Sequence, residues 1–493
     1  MTEQVTQDIS TIGNRAGRSL RWTVGGNVVL KGGSFALSLV MVRLLSPHDF
    51  GLYAVALAAN AFLMHVNDMG MIAATVQWRG EIEEMASTAT TLAVAFSLGW
   101  YGLIWFGAPV LADAAGSPAA VPLVRLLTLT VVLDGITAVA VGTIQRRFQQ
   151  DRLMKAIAIG FVVCAAVNLT LALSGAGAYS FVLGTLAQAL VVAVLVLKAA
   201  KMPFRFGYDR EIARRLLVFG IPLAVGLGVE SVVLYSDSVI VGHVLGTVIL
   251  GFYLLAFNIS SWVPGIVGMA VRYVSIPAFS RLSEGESETF AQGVQRALPL
   301  MVTVVAPVAV VMMTLSPALI HVLYGADWVP AAVALQFLSL VMVARMVTAL
   351  VFDIQTGQGN TWVTVWVNLA WLLALLPALW VGAHTGGMRG AAIGHAVVAL
   401  VVAIPLAGWM LHRSGVDVVP ALRACVRPVL AAVVAGLVTA VLALLLHPAL
   451  VQLVVAGGLG TLVYLALAVP PAGRDVVRRR LPARISGRRG SPA

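Results

Sequence analysis

A lysine stands about halfway along the apolar stretch Trp22–Leu45, WTVGGNVVLKGGSFALSLVMVRLL, which has the length of a membrane span. At about 1.5 Å per helical residue, Lys31 lies at least roughly 14 Å from either end, too deep for its amine to snorkel easily. A charge at that depth costs at least ~3 kcal/mol unless it faces protein or water. Gly25, Gly26, Gly32 and Gly33 surround it, so a neighbouring helix can come close, or the span can bend there. Lys31 therefore either faces an aqueous cavity and meets an anionic ligand, or pairs with a carboxylate on another span.

Other ionisable residues also fall inside apolar runs. Glu230 and Asp237 are seven positions apart, which puts them on one helix face about 10 Å from each other. They suit a coupling cation, proton or sodium. Glu230 equally suits an ion pair with Lys31, and Asp237, nearer the span end, suits a solvated role. Arg345 lies near the middle of a later run, with Asp353 eight positions on. Its planar fork matches phosphate oxygens or neutralises a carboxylate. Asp68 and Asp134 are further buried carboxylates, for ion coupling or for pairing between helices. Arg43, Arg125 and Arg272 sit near span ends, where snorkelling is the default; Arg272 also suits a headgroup phosphate at a lateral entrance. Asn27, Asn60, Asn67 and Asn258 lie near these charges. Their amides suit sugar hydroxyls and interhelical hydrogen bonds alike.

The chain that carries these groups has 493 residues, 60% hydrophobic and 11% charged, where soluble domains are near ~25% charged. This composition makes it an all-α polytopic membrane protein, and no long alternating runs favour a β-barrel. The first apolar run is a full span without an A-x-A-like site after it, so no cleavable signal peptide is expected. The net charge of +11 does not imply nucleic acid, because the basic residues lie mostly between spans and at the two ends. Cys164 and Cys425 lie in or beside apolar segments, and no CxxC or Cys/His cluster exists; neither a disulfide nor a metal site is expected, and no cofactor. The longest connections hold no nucleophile elbow, phosphate loop or metal-ligand cluster, which argues against an enzyme.

Hydropathy gives about fourteen spans. Basic connections alternate with nearly bare ones such as SPHDF, ADAAGSPAA, SGAGA and GHVLGT, Arg389 being the exception. The alternation places both termini in the cytoplasm of a bacterial inner-membrane protein. Residues 1–21 read as a cytoplasmic amphipathic lead-in, 22–200 as a first six-helix bundle and 201–215 as a basic linker. A second bundle over 216–412, two additional helices over 424–470 and an Arg-rich tail over 471–493 complete the chain. Trp22, Trp100, Trp105, Trp328 and Trp380 read as anchors at the membrane interfaces. A weak internal repeat supports the two halves: LLSPHDFGLYAVALAAN at 44–60 is similar to VLGTVILGFYLLAFNIS at 244–260, and Val121-Pro122 corresponds loosely to Val329-Pro330. Both copies share one orientation, so the halves are parallel around an axis along the membrane normal.

The stretches RSLRWTVGGNVVLKGG, LVMVRLLSPHDFGLYAVALAANAF, DMGMIAATVQ and HVLYGADWVPAAVALQFLSL resemble the polysaccharide biosynthesis or oligosaccharide flippase family, the Wzx-like exporters. That family shares a superfamily with multidrug exporters and the lipid II flippase. The resemblance implies two six-helix bundles around a central cavity that opens alternately to each side, with two extra C-terminal helices. It implies export of undecaprenyl-pyrophosphate-linked oligosaccharide repeat units, driven by a proton or sodium gradient. Membrane lipids are the surroundings, and a polysaccharide polymerase is the protein partner it admits. By analogy with the lipid II branch, Lys31 would meet the pyrophosphate; the chemistry of the side chains themselves adds Arg345 and Arg272 there, gives Asn27, Asn60 and Asn67 to sugar, and gives Glu230, Asp237, Asp68 and Asp134 to the ion. A multidrug or lipid II exporter on the same architecture is the alternative, and an intramembrane glycosyltransferase or polymerase a more distant one.

Overall fold

A run of leucine, valine and alanine in lipid has no hydrogen-bond partner for its backbone but itself, so each run closes into a helix. The computed structural model describes residues 25–468 except 28, 68–70, 79–80, 148, 203–204, 269–270, 272–274, 276–278, 280–286 and 359–361. The lead-in 1–21, Trp22, the tail 471–493, Asp68 and Arg272 lie outside the described residues, as does the side chain of Glu230.

The first half comprises α1 (Gly25–Leu44), α2 (Pro47–Asn67), α3 (Ile82–Ala114), α4 (Pro118–Arg146), α5 (Gln150–Leu173) and α6 (Tyr179–Ala200). The second comprises α7 (Arg210–Leu245), α8 (Thr247–Ser260), α9 (Glu288–Thr314), α10 (Ala326–Thr356) and the run Thr364–Arg413. That run breaks at Gly387 (φ 58°, ψ −143°) into α11 and α12. Two outer helices follow, α13 (Val419–Leu445) and α14 (Ala449–Ala468). Among the described residues ten stretches are long and apolar enough to cross a membrane; fourteen remains the count expected from hydropathy.

Each half packs within itself, and the halves meet where α2 touches α7 and α8, and α3 touches α7. The outer pair packs on α9: Tyr464 of α14 is buried and its hydroxyl donates to the Thr303 carbonyl at 2.9 Å. The repeat has a structural counterpart, because short 3-10 turns, Pro118–Ala120 and Ala326–Ala331, lead into the long helices at corresponding places.

Two expectations change. The linker is shorter than 201–215, because Asp209 accepts from the Glu211 and Ile212 amides at 2.8 and 2.9 Å and starts α7 at Arg210. A side chain that satisfies those otherwise orphaned donors is what fixes a helix start. The linker also docks on α3, where Gly207 and Asp209 amides donate to Thr91 and Thr88 hydroxyls, each at 3.0 Å. Trp328 is no interface anchor. It is buried, donates Nε1–H to the Val42 carbonyl at 2.9 Å, and meets Phe50 and Phe252 edge-on.

The turn at Gly387 requires glycine's freedom, and α11 and α12 then cross with Gly382 and Gly390 face to face. A Cβ on either would overlap the carbonyl of the other. Overpacking of this kind costs about 1–3 kcal/mol or more. Gly390→Val is expected to lower the melting temperature in detergent and the yield of folded protein; an unchanged melting curve would count against this crossing.

Candidate functional site at the seam between the halves

Lys31 lies on α1, whose glycines determine how the helix is placed. Gly26 faces the Met154 side chain and Gly33 the Phe161 ring, both on α5, and a Cβ on Gly33 would lie 2.8 Å from that ring. With α1 held against α5, its other side turns to the second half. Phe35 meets Trp262 with ring centroids 4.4 Å apart. Lys31 Nζ lies against Gly265, 3.5 Å from where a Cβ there would stand. Among the described residues no carboxylate pairs with Lys31, and the side chain is exposed.

The stretch it touches is unusual. After Ser260 the helix passes through a turn at Ser261 into a π-helical segment, Pro264–Gly268. Proline removes a ladder donor there, and π segments recur at functional sites. Arg345 of α10 addresses the same stretch: its Nη1 donates to Ser261 Oγ at 3.2 Å and its guanidinium lies 5.4 Å from the Phe257 ring centre. Ser261 and Gly265 are one helical turn apart. Thus a cation from each half converges on one turn of backbone at the boundary between the halves. Asn27 is half-buried one turn before Lys31 on α1.

Behind Arg345 a cavity of about 120 Å³ is lined by Val233, Pro264, Thr348, Asn368, Trp371 and His395 among others. Deeper still lies a buried polar cluster. Asp237 is 1% exposed and His395 3%, and Asp237 Oδ2 stands 3.7 Å from His395 Nδ1. Asp237 Oδ1 accepts from the Ser238 amide at 2.8 Å. Its Oδ2, the His395 Nδ1, the Tyr253 hydroxyl and the Trp371 indole N–H have no hydrogen-bond partner among the described residues. Four unpaired polar groups, supplied by α7, α8, α11 and α12, are costly to leave so. Asp237 is therefore not a solvated carboxylate near the membrane surface, contrary to expectation: three other helices enclose it. His395, Tyr253 and Trp371 had escaped the sequence reading. His395 carried a signal, being an ionisable side chain inside an apolar span.

The other expected residues go elsewhere. Asn60 Oδ1 accepts from Thr130 at 3.0 Å, and Asn67 Nδ2 donates to the Val131 carbonyl at 3.1 Å and reaches Asp134 at 3.4 Å. These contacts tie α2 to α4, while the buried Asn67 Oδ1 has no hydrogen-bond partner among the described residues. Asp353 is buried and accepts from Ser275 at 3.0 Å. Arg125 donates to the Trp105 carbonyl at 3.0 Å and lies over its ring, as a snorkelling residue does. No group of three or more His, Cys, Asp or Glu that could hold a metal ion occurs among the described residues.

Residues 40–333 match the family described as Polysaccharide biosynthesis protein. The chain belongs to that family. Among relatives of this polysaccharide biosynthesis protein is the succinoglycan biosynthesis transport protein ExoT of Rhizobium meliloti (strain 1021), 30% identical over 64% of this chain and 65% of its own length. Another is the lipopolysaccharide biosynthesis protein WzxC of Escherichia coli (strain K12), 22% identical over 66% of this chain and 67% of its own length. The chain thus spans about two thirds of the curated relatives it matches. The fold is that of solved polytopic transporters. The lipid II flippase MurJ in its inward closed conformation superimposes with a TM-score of 0.73 at 14% identity, covering 92% of this chain and 99% of that one. An inward-facing multidrug resistance MATE family transporter of the MOP superfamily gives 0.63 at 17% identity, over 77% and 93%.

Proposed function

We propose that this protein is a flippase that carries lipid-linked oligosaccharide units, joined to a polyprenyl carrier through pyrophosphate, across the bacterial cytoplasmic membrane for surface polysaccharide synthesis. The observation that carries the reading is the convergence of Lys31 and Arg345, one from each half, on a single turn after α8. Pyrophosphate and sugar cannot cross hydrocarbon unaided, because their hydration must be replaced. Two cations at a seam replace it and let go when the halves rock apart, while the polyprenyl tail stays in lipid. The likeness by sequence to a succinoglycan biosynthesis transport protein and a lipopolysaccharide biosynthesis protein supports this reading, and the likeness to MurJ supports the fold it needs. No catalytic residue belongs to this reading: the protein moves its substrate and leaves it chemically unchanged.

The ion that drives the cycle acts, in this reading, at Asp237 and His395. Protonation or cation entry there satisfies the unpaired Asp237 oxygen, and the cluster sits one cavity away from Arg345. Glu230 on the same helix is a second candidate. The charge alternation places the arginine-rich ends and both termini in the cytoplasm.

Deletion of the gene is expected to leave lipid-linked repeat units stranded on the cytoplasmic leaflet. They would be reached by a sugar-modifying probe from the inside only, and surface polysaccharide would be lost. If the stranded species is the peptidoglycan precursor, the lipid II reading replaces this one. If no lipid-linked sugar accumulates, the flippase reading fails.

A further inference from the structure

The internal repeat matched Gly51-Leu52-Tyr53 with Gly251-Phe252-Tyr253, and the role above uses neither triplet. In the folded chain the two copies meet each other. α2 of the first half crosses α8 of the second with no side chain between them. A Cβ on Gly51 would overlap the Thr247 carbonyl, and a Cβ on Gly251 would overlap the Pro47 carbonyl. The contact is reciprocal: each glycine, one turn into its helix, rests on the first residue of the other. A second backbone contact lies beside it. Gly116, at φ 63° in the turn between α3 and α4, faces the Gly242 carbonyl, where a Cβ would stand 2.8 Å away; a Cβ on Gly242 would stand 2.8 Å from the Ala115 carbonyl. Around the crossing, Phe50 and Phe252 close on Trp328. All of this lies at the end of the bundle whose connections are almost free of basic residues.

We propose that Gly51 and Gly251, with Gly116 and Gly242 beside them, are the positioning residues of the outer seal, the contact that shuts the seam between the halves on that side and must part to release substrate. The inference rests on the two halves moving against each other, as a flippase requires. α2 and α8 belong to opposite halves, so their contact cannot survive that motion. A seal of backbone on backbone also suits repeated opening. At the crossing itself no long side chain interdigitates; beside it Trp328 of the second half, buried against Phe50 and bonded to the Val42 carbonyl, is the side-chain contact that must part with it. The crossing's weakness is that it tolerates nothing larger than hydrogen. One methyl group on either glycine holds the halves apart at this end and shifts the population towards the form open to the outside.

The test replaces Cys164 and Cys425 by serine, places a reporter cysteine at Ala58, which is buried in the cavity of about 250 Å³ that α2 and α3 of the first half form with α7 of the second, and labels intact spheroplasts with a membrane-impermeant maleimide. Gly51→Ala and Gly251→Ala are each expected to speed labelling from outside by about fivefold or more. The double variant should add little, since both methyl groups wedge the same crossing. Gly102→Ala on α3, where a Cβ meets nothing within 4 Å, should leave labelling unchanged. Folded Gly51→Ala and Gly251→Ala proteins that label at the parent rate overturn the proposal. Should those variants fail to fold, a second experiment leaves the glycines in place: cysteines at Pro47 and Thr247 are joined by a short bifunctional maleimide. The joined protein should stop transporting while the unjoined protein works; transport at the unjoined rate overturns the seal. Labelling does not depend on the substrate. Faster labelling without any polysaccharide defect would therefore retain the seal and reject the flippase reading.

Discussion

Lys31→Ala and Arg345→Ala are each expected to abolish surface polysaccharide while the protein remains in the membrane at its normal level. The membrane level is the control that separates a lost binding contact from a lost structural one. Lys31 has no carboxylate partner among the described residues and lies against a glycine. Arg345 donates to Ser261 and lies over the Phe257 ring, both on the stretch that the substrate is proposed to share. A charge-assisted hydrogen bond to a phosphate oxygen contributes about 1.5–3 kcal/mol, so losing one costs about 10- to 150-fold in affinity. The effect on transport is larger, because each cation belongs to a different half and the substrate then touches only one of them. Arg345→Lys separates charge from geometry. If the planar fork grips two oxygens, lysine restores little; if only charge matters, it restores most of the activity. The measurements are surface polysaccharide per cell, membrane protein level, and binding of a soluble pyrophosphate-sugar analogue to purified protein. Both alanine variants exporting at the wild-type rate would remove the pyrophosphate site from the seam. Export lost with analogue binding intact would place these cations in the moving parts instead.

Much of this arrangement was legible in the chain, and the limits have physical causes. Lys31 announced itself because a charge in mid-span must be explained, and the glycines beside it announced a close neighbour. The neighbours turned out to be the Met154 and Phe161 side chains, which no local pattern names. Asp237 was misread because distance from a span end measures depth and says nothing of lateral burial. It lies some eight residues from the end of α7, yet helices α8, α11 and α12 enclose it. The asparagines at 60 and 67 were ambiguous for the same reason. An amide that meets a sugar and one that ties α2 to α4 look alike until the packing partner is known. The repeat gave more than its identity warranted. Gly51 and Gly251 aligned on sequence, but that each would rest on the other's helix follows only from folding two similar halves around one axis.

Asp237→Asn is expected to leave headgroup binding intact and to abolish the response of transport to the ion gradient. The substitution keeps the shape of the side chain and its acceptor for the Ser238 amide, so the packing of α7 against α12 should hold. What it removes is the negative charge that sits 3.7 Å from His395 with an unpaired oxygen. A buried carboxylate without a partner is expensive. In the proposed cycle it becomes tolerable when a proton or small cation joins it on one side and leaves on the other, and that alternation would tie the gradient to the rocking of the halves. An asparagine is neutral throughout and cannot change its charge with the side it faces. One elementary charge moved through 100 mV is worth about 2.3 kcal/mol, a ratio of about 50-fold between the two sides. Reconstituted vesicles should show the wild type building up such a ratio of lipid-linked sugar under an imposed gradient, whereas Asp237→Asn only equalises the leaflets. His395→Gln should fall on the same side if the pair acts as a unit, because the imidazole is the one titratable group that faces the unpaired oxygen from α12. A sodium gradient without a pH difference, and the reverse, then tell which ion fills the site. Undiminished gradient-driven build-up in Asp237→Asn would move the coupling away from this cluster and leave Glu230 as the carboxylate to test.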